Sequence, residues 1–340
     1  MTSTPLVSIV CGYYNRENYV DESVSSLINQ TYPNLEILIF DDCSTDNTYE
    51  KLKAFENKDN RIRIIKHEKN KGFVKGIIDT INTAKGEYIA IHGSGDYSYP
   101  QRIERQVNVL QTMPNVGVVG CFVKNDKLVG SEIQVSILDK KINGNCTELL
   151  QKTNPFTHGE VMYRKRLYYE AGGYRAFFQF SQDYDLWTRM SLKCDFFNVQ
   201  EILYRRFLLS DGASSLPSKR LKQEMYAEIV RYNLRFFLTK GKSDFVDQFN
   251  DLDKAFKNIH TYSNTFIDKM YSLFIYVFKD TSIDSTFLTP ILKNFSSISG
   301  KSVFSALIHG TYLLPRSVSK KLVHNKLFRK VLNIAYRRLP

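Results

Sequence analysis

Residues 6–48 read LVSIVCGYYNRENYVDESVSSLINQTYPNLEILIFDDCSTDNT, and this stretch decides the fold. Leu6 to Cys11 is a short apolar run, a strand. Val20, Val24, Leu27 and Ile28 recur at helical spacing, so the segment after Asn18 reads as an amphipathic helix. Tyr32-Pro33-Asn34 breaks it. Leu35 to Phe40 is a second strand, nearly all apolar, as expected where both faces of a sheet are covered. A second helix follows Asp46.

The same alternation continues outward. Ile62 to Ile65 reads as a third strand, and Ile77, Ile78, Ile81 and Ala84 mark a third helix. Tyr88 to Ile91 is a fourth strand and Val116 to Val123 a further one. Strand and helix alternating at this spacing predict an α/β fold with a largely parallel central sheet flanked by helices. In such sheets ligands bind beyond the carboxyl ends of the strands. That rule selects three polar loops: Gly12–Asn15, Asp41–Asp46 and His92–Asp96.

Each loop carries candidate chemistry. Asp41 and Asp42 stand where the second strand ends, and a carboxylate there can accept from a ribose hydroxyl or a base N–H. Two adjacent carboxylates at a strand end are costly without a partner. Ser44, Asp46 and Thr48 suit a helix start. In AIHGSGDYSYP, Asp96 follows two glycines that let the backbone approach a ligand. A carboxylate here can hold Mg²⁺ or Mn²⁺ beside phosphate oxygens; a turn with a capping Asp is the plainer alternative. In FSQDYDLWTRM, Asp183 at the edge of a predicted helix can take a proton from an acceptor hydroxyl. Asp185 can instead serve the helix N-terminus. Upstream, His158 is a structural residue or an acceptor contact, and Arg164 faces phosphate or solvent.

Composition bounds the class. The chain has 340 residues, 43% hydrophobic and 24% charged, the balance of a folded protein rather than a disordered one. No apolar run approaches the roughly 18 residues of a spanning helix; the longest candidate, 271–278, is too short. The N-terminus reads as a strand entering a turn rather than a signal peptide, so a cytosolic location is expected. Five scattered cysteines without a CxxC pair read as free thiols. The net charge is +12, and nine basic residues with no Asp or Glu fall in residues 301–340. There Phe304, Leu307, Tyr312, Leu313, Leu314, Leu322, Leu327 and Val331 interleave with the charges. That pattern suits either an amphipathic helix on an anionic membrane surface or an apolar face packed on the rest of the protein. No nucleic-acid motif accompanies the charge, and no nucleic-acid partner is expected. Composition changes after about Ser210, which divides a catalytic domain, 1–210, from a mostly helical basic extension, 211–340. Within the former, residues 1–123 are expected to be a nucleotide-binding half and 124–210 an acceptor-binding half, as the resemblance stated next implies.

Taken together, these segments resemble the family 2 glycosyltransferases of the GT-A fold. The resemblance runs from Leu6 to Phe207, through residues 6–48, then NKGFVKGIIDTINTAKGEYIAIHGSGDYSYPQRIERQV (70–107), THGEVMYRK (157–165), GGY (172–174) and SQDYDLW (181–187). It implies that Gly12, Tyr14, Asp41 and Asp42 hold the base and ribose, with Asn70, Lys71 and Gly72 along the nucleotide. It implies Asp96 as the ligand of Mn²⁺ or Mg²⁺ and Asp183 as the general base. His158, Gln182 and Arg164 are expected near acceptor or phosphate. This sequence departs from the pattern twice: Gly93 and Gly95 stand where relatives have acidic residues, and Gln182 replaces a Glu. The activity implied is inverting transfer, of hexosyltransferase type, from a nucleotide sugar, expected to be a UDP-sugar. The acceptor is a saccharide or lipid-linked saccharide of a surface polysaccharide or glycolipid, met in the cytoplasm or at the inner face of a membrane. An inactive nucleotide-sugar-binding protein and a basic nucleic-acid-binding protein are the alternatives.

Overall fold

The computed structural model describes residues 4–208, 217–241, 244–259, 263 and 269. The basic segment 301–340 and the apolar run 271–278 lie outside them. Two compact units divide the chain, residues 1–210 and 211–340.

The first unit is a sheet with helices. Its elements in chain order are β1 (Val7–Tyr13), α1 (Val20–Ile28), β2 (Leu35–Asp41), α2 (Thr48–Glu56), β3 (Ile62–Lys66), α3 (Phe73–Thr83), β4 (Tyr88–Gly93), β5 (Tyr97–Ser98) and α4 (Arg102–Thr112). There follow β6 (Val116–Val129), β7 (Glu132–Leu138), β8 (Asn143–Gly144), α5 (Thr147–Leu150), β9 (Met162–Arg164), α6 (Lys165–Glu170), α7 (Gln182–Met190) and β10 (Asp195–Phe207). The strand order is β3-β2-β1-β4-β9-β6-β10-β5, with β7 beside β6 and β8 beside β10. The run β3-β2-β1-β4 is parallel, as is β6 with β10, while β9 lies antiparallel between β4 and β6.

Every residue of β1 is buried, which a strand covered on both faces requires. In α1 the buried Val20, Ser23, Val24 and Leu27 form one stripe, the helical period realised as a core face. In α3 that stripe includes Gly76, because the Phe40 ring fills the space: a Cβ on Gly76 would lie 2.3 Å from it. Gly12 faces the same ring, with a Cβ falling 2.1 Å away. The two glycines let one aromatic side chain join β1, β2 and α3.

In α4, Arg102 is fully buried and donates to the carbonyls of Gly159 at 3.0 Å and Ile91 at 2.8 Å. Its guanidinium ties the end of β4 to the loop that carries His158. β6 runs on through residue 123, the expected boundary between the two halves, and turns into β7. Ile133, Val135 and Ile137 of β7 stand exposed.

In the second unit, α8 (Pro217–Lys240) buries Glu228, which accepts from Arg231 Nε at 2.8 Å. A short helix, α9, spans Leu252–Lys257. Among the described residues no helix is long and apolar enough to cross a membrane.

Candidate active site

The parallel register sets the site. Gly12 lies beside Phe40 on one flank and Gly93 on the other, so the loops leaving β1, β2 and β4 emerge side by side. The first two are laced together. Asn15 N donates to Ser44 Oγ at 3.0 Å, Arg16 N to Thr48 Oγ1 at 2.8 Å, and Thr45 N to Asn15 Oδ1 at 2.8 Å. Ser44 and Thr48, expected as helix caps, instead receive the backbone of the β1–α1 loop. Burial works to raise the Asp46 carboxyl, but hydrogen bonds from Thr48 and the Glu17 amide hold it below its ordinary value.

Asp41 and Asp42 point to different tasks. Asp41 is fully buried, and its two oxygens accept from the Ser44 hydroxyl at 2.5 Å and the Ser44 amide at 3.1 Å. It closes its own loop and presents no oxygen to a nucleotide, which corrects its assignment to base or ribose. Asp42 accepts from His67 Nδ1 at 2.8 Å, Lys71 N at 2.8 Å and Gly72 N at 2.9 Å. The cost of burying that carboxylate is met by the protein's own donors. Its structural effect is to fix the loop 69–72 against the sheet. His67 stacks on Phe40 with ring centroids 5.4 Å apart, so the Phe40 anchor also orients Asp42. Gly12 also serves packing: the space a side chain would take there is filled by Phe40. Tyr14 is 46% exposed at the mouth of the site.

Gly72 has φ +82 and leads into α3, and a Cβ placed there would meet nothing within 4 Å, so its glycine character serves the turn. Asn70 Oδ1 also accepts from its amide at 3.1 Å, and Lys71 Nζ pairs with Asp79 at 2.9 Å. A cleft of about 450 Å³ opens between residues 70–75 and Ala176, Gln179 and Phe180.

Two residues after Phe180 of the cleft lining, α7 begins at Gln182, which is half-exposed. Asp183 is 8% exposed and accepts from Asn154 Nδ2 at 2.8 Å. His158 bonds to the Tyr174 hydroxyl at 2.8 Å and meets Phe73 edge-on at 5.9 Å. Burial lowers its pKa below the ordinary value, with the nearby Asp183 charge pulling it back up. A buried imidazole held neutral is a wall of the site beside Asp183, not a charged phosphate contact. Asp185 faces inward, fully buried, gripped by Arg175 and by Arg189 Nη2 at 2.7 Å. Burial alone would raise it, but the two guanidinium groups hold it below the usual carboxylate range.

Arg164 is not at the site. β9 runs antiparallel to β4, so Arg164 sits opposite Tyr88, at the start of β4 and the wrong edge of the sheet. Its guanidinium is spent on the carbonyls of Val116, at 2.9 Å, and Leu110. The expected phosphate contact is therefore a strut.

Asp96 is tied to β10. Tyr204 Oη donates to Oδ2 at 2.9 Å and Phe207 N to Oδ1 at 3.2 Å, and Tyr204 Oη also accepts from Gly93 N at 2.8 Å. Burial pushes the Asp96 carboxyl up to about 7, against the pull of Arg206, Tyr204 and the Phe207 amide. Glu160, buried nearby, accepts from Thr157 N at 2.7 Å and from the Thr157 hydroxyl. Its carboxyl is also raised by burial.

The donor set bears on the expected cation. Mg²⁺ or Mn²⁺ takes hard oxygen ligands from one or two carboxylates together with phosphates. Gly93 and Gly95 supply none. A Cβ at position 93 would fall 2.3 Å from Asp96 Oδ2, and Gly95 holds φ +91, where a Cβ would fall 2.9 Å from that of Tyr19. Neither position has room for a carboxylate while both oxygens of Asp96 are bound to β10. These residues do not fit a cation held through Asp96.

His67, Arg102, Asn154, Glu160 and Tyr204 escaped the sequence reading. Each acts by touching a residue at least 11 positions away or by bracing a neighbouring loop, and only Asn154, before Pro155, carried a local signal, that of a turn.

Known proteins share this architecture. The glycosyl transferase family 2 model matches residues 8–178. A Bacillus subtilis protein, EpsE, described as a putative glycosyltransferase, is 34% identical over 212 residues, covering 60% of this chain and 74% of its own. The S. aureus TarS fragment 1-349 in complex with UDP-GlcNAc superposes with TM-score 0.59 at 16% identity, over 98% of this chain and 89% of that one. The mannosyltransferase PcManGT from Pyrobaculum calidifontis, in complex with GDP-Man and Mn²⁺, gives 0.54 at 15% identity, over 98% and 85%. With half of its length matched and the loops described above at the carboxyl edge of a GT-A-like sheet, the chain belongs to glycosyl transferase family 2.

Proposed function

We propose that this protein transfers a sugar from a nucleotide diphosphate donor to a saccharide hydroxyl with inversion, Asp183 acting as general base. The observation that carries this reading is the setting of Asp183. It stands at the head of α7, three residues after Phe180 of the cleft lining, nearly buried, with Asn154 donating to one oxygen. A carboxylate so held is ready to accept a proton. The acceptor oxygen then bonds to the anomeric carbon as the bond from that carbon to the diphosphate breaks, and the electron pair leaves with the diphosphate. The proton passes to Asp183.

A UDP-sugar donor is favoured by the TarS complex with UDP-GlcNAc. Tyr14, Asn70 and Lys71 line the donor side in this reading. The acceptor is a saccharide of a surface polysaccharide or glycolipid, reached through the cleft between Phe73 and Phe180.

The test is a transfer assay with a panel of UDP-, GDP- and dTDP-sugars, with the anomeric configuration of the product read by NMR. Inverted product, abolished by Asp183→Asn with donor binding retained, is the expected result. A retained configuration, or equal loss of donor binding and transfer in Asp183→Asn, would remove Asp183 as the base.

A further inference from the structure

We propose that the Arg206 guanidinium, rather than a divalent cation held by Asp96, meets the negative charge of the donor diphosphate. This rests on the donor reading above and specifies how the same site handles phosphate.

The topology puts Arg206 in the right place. β9 runs antiparallel to both β4 and β6, and β10 runs parallel to β6. β10 therefore travels in the same sense as β4 and β1, and its last residues come out at the carboxyl edge where β4 ends in Gly93. The Tyr204 hydroxyl, bonded to Gly93 N and Asp96 Oδ2, fixes that meeting point. Residues 204–207 pair in unbroken register with residues 123–126 of β6. Side chains two apart on an extended strand share a face, so Arg206 lies on the face of Tyr204, roughly 6–7 Å further out. That carries it past the end of β4, over the crevice where ligands of such sheets bind.

The neighbouring arginine shows the contrast. Arg205, on the opposite face, is engaged by Glu22 and lies over the rings of Tyr97 and Phe207, at 4.9 and 4.6 Å. Arg206 is half-buried and has no hydrogen bond or ion pair among the described residues. Its charge is nevertheless felt by both Asp96 and Glu160. A half-buried guanidinium near two carboxylates, with no hydrogen bond to either, has its N–H fork free.

The chemistry of the loop requires such a charge. Gly93 and Gly95 give no ligand, and Asp96 is committed to β10. As the bond to the anomeric carbon breaks, the leaving diphosphate gains an electron pair. A preorganised donor at that point stabilises the charge without any proton moving there. Arginine matches phosphate oxygens with two parallel N–H bonds and stays charged at any working pH.

The experiment is calorimetric titration of the full chain with UDP, GDP and dTDP and with the corresponding nucleosides, each in Mn²⁺ and in EDTA. One nucleoside diphosphate is expected to bind with the same Kd in both media. Arg206→Ala should weaken it by about tenfold to a hundredfold while leaving nucleoside binding and the melting temperature unchanged. Arg206→Lys should recover only part, because an ammonium lacks the fork. Binding that requires Mn²⁺ and is untouched by Arg206→Ala would overturn the inference and leave the donor reading standing. A folded wild type that binds no nucleoside diphosphate in either medium would overturn both.

Discussion

Asn154 Nδ2 donates to Asp183 Oδ2 at 2.8 Å across 29 residues of sequence. The bond links the loop before β9 to the first turn of α7 and holds the carboxylate by one of its two oxygens. Asn154→Ala leaves that oxygen without its donor and the carboxylate free to turn, and should lower kcat by about tenfold while leaving donor affinity unchanged. Asn154→Gln, which keeps an amide donor on a longer arm, should recover part of the loss. Steady-state kinetics and donor titration on both variants decide it, and an unchanged kcat would make Asn154 a packing residue only.

The site depends on Phe40. Gly12→Ala would place a methyl 2.1 Å from the ring, whose outer end is also closely packed against Gly76. Overpacking of this kind costs about 1–3 kcal/mol. The expected result is a lowered melting temperature, partly recovered by adding Phe40→Leu, so that the two changes are non-additive. Additive losses in thermal denaturation would show that the contact is not shared.

His67 is one of three donors to Asp42. His67→Ala removes both that bond and the stack on Phe40, at a cost of about 1–3 kcal/mol. Because Asp42 fixes residues 69–72, donor affinity should fall along with stability. His67→Phe keeps the stack and loses the bond, so calorimetry on the pair separates the two contributions.

Asp96 makes stability depend on pH in an unusual sense for an aspartate. Its carboxyl rises from 3.8 to about 7 on folding, with burial as the main cause. Between those values the folded protein holds the proton more tightly than the unfolded chain does. Its contribution is therefore full below about 3.8 and is lost as pH rises towards 7, at about 1.4 kcal/mol for each step of one in pH. Asp96→Asn should flatten the melting temperature across that window relative to wild type. A wild-type curve that rises there, with Asp96→Asn parallel to it, would contradict this.

Much of the frame was legible in advance. The strands β1 to β4 follow from apolar runs too short for helices, and the three ligand-facing loops follow from the rule of strand ends. Asp183 at the start of α7 was visible from its place before the amphipathic turn. The separation of Asp41 from Asp42 was not. Successive side chains at a strand end face opposite ways, and both are buried, so their tasks differ only through their partners, Ser44 for Asp41 and His67 with the 71–72 amides for Asp42. Arg164 was misplaced because a lone three-residue strand carries no direction in its sequence. Only its antiparallel insertion beside β4 takes it to the other edge. The metal loop reads as a thinned motif in sequence, whereas in space its glycines make room for Asp96 and Tyr19.

The sequence by itself determined the class of fold, the family and the candidate for the base, because these rest on local periodicity and on motifs contiguous in the chain. Only the tertiary structure decided the partners of each polar group. Asn154 with Asp183, His67 with Asp42 and Tyr204 with Asp96 are pairs separated by 25 to 108 positions. Burial makes an unpaired carboxylate costly, so each must find a donor. Which donor it finds is set by strand direction and register, and neither is written in the residues that carry the charge.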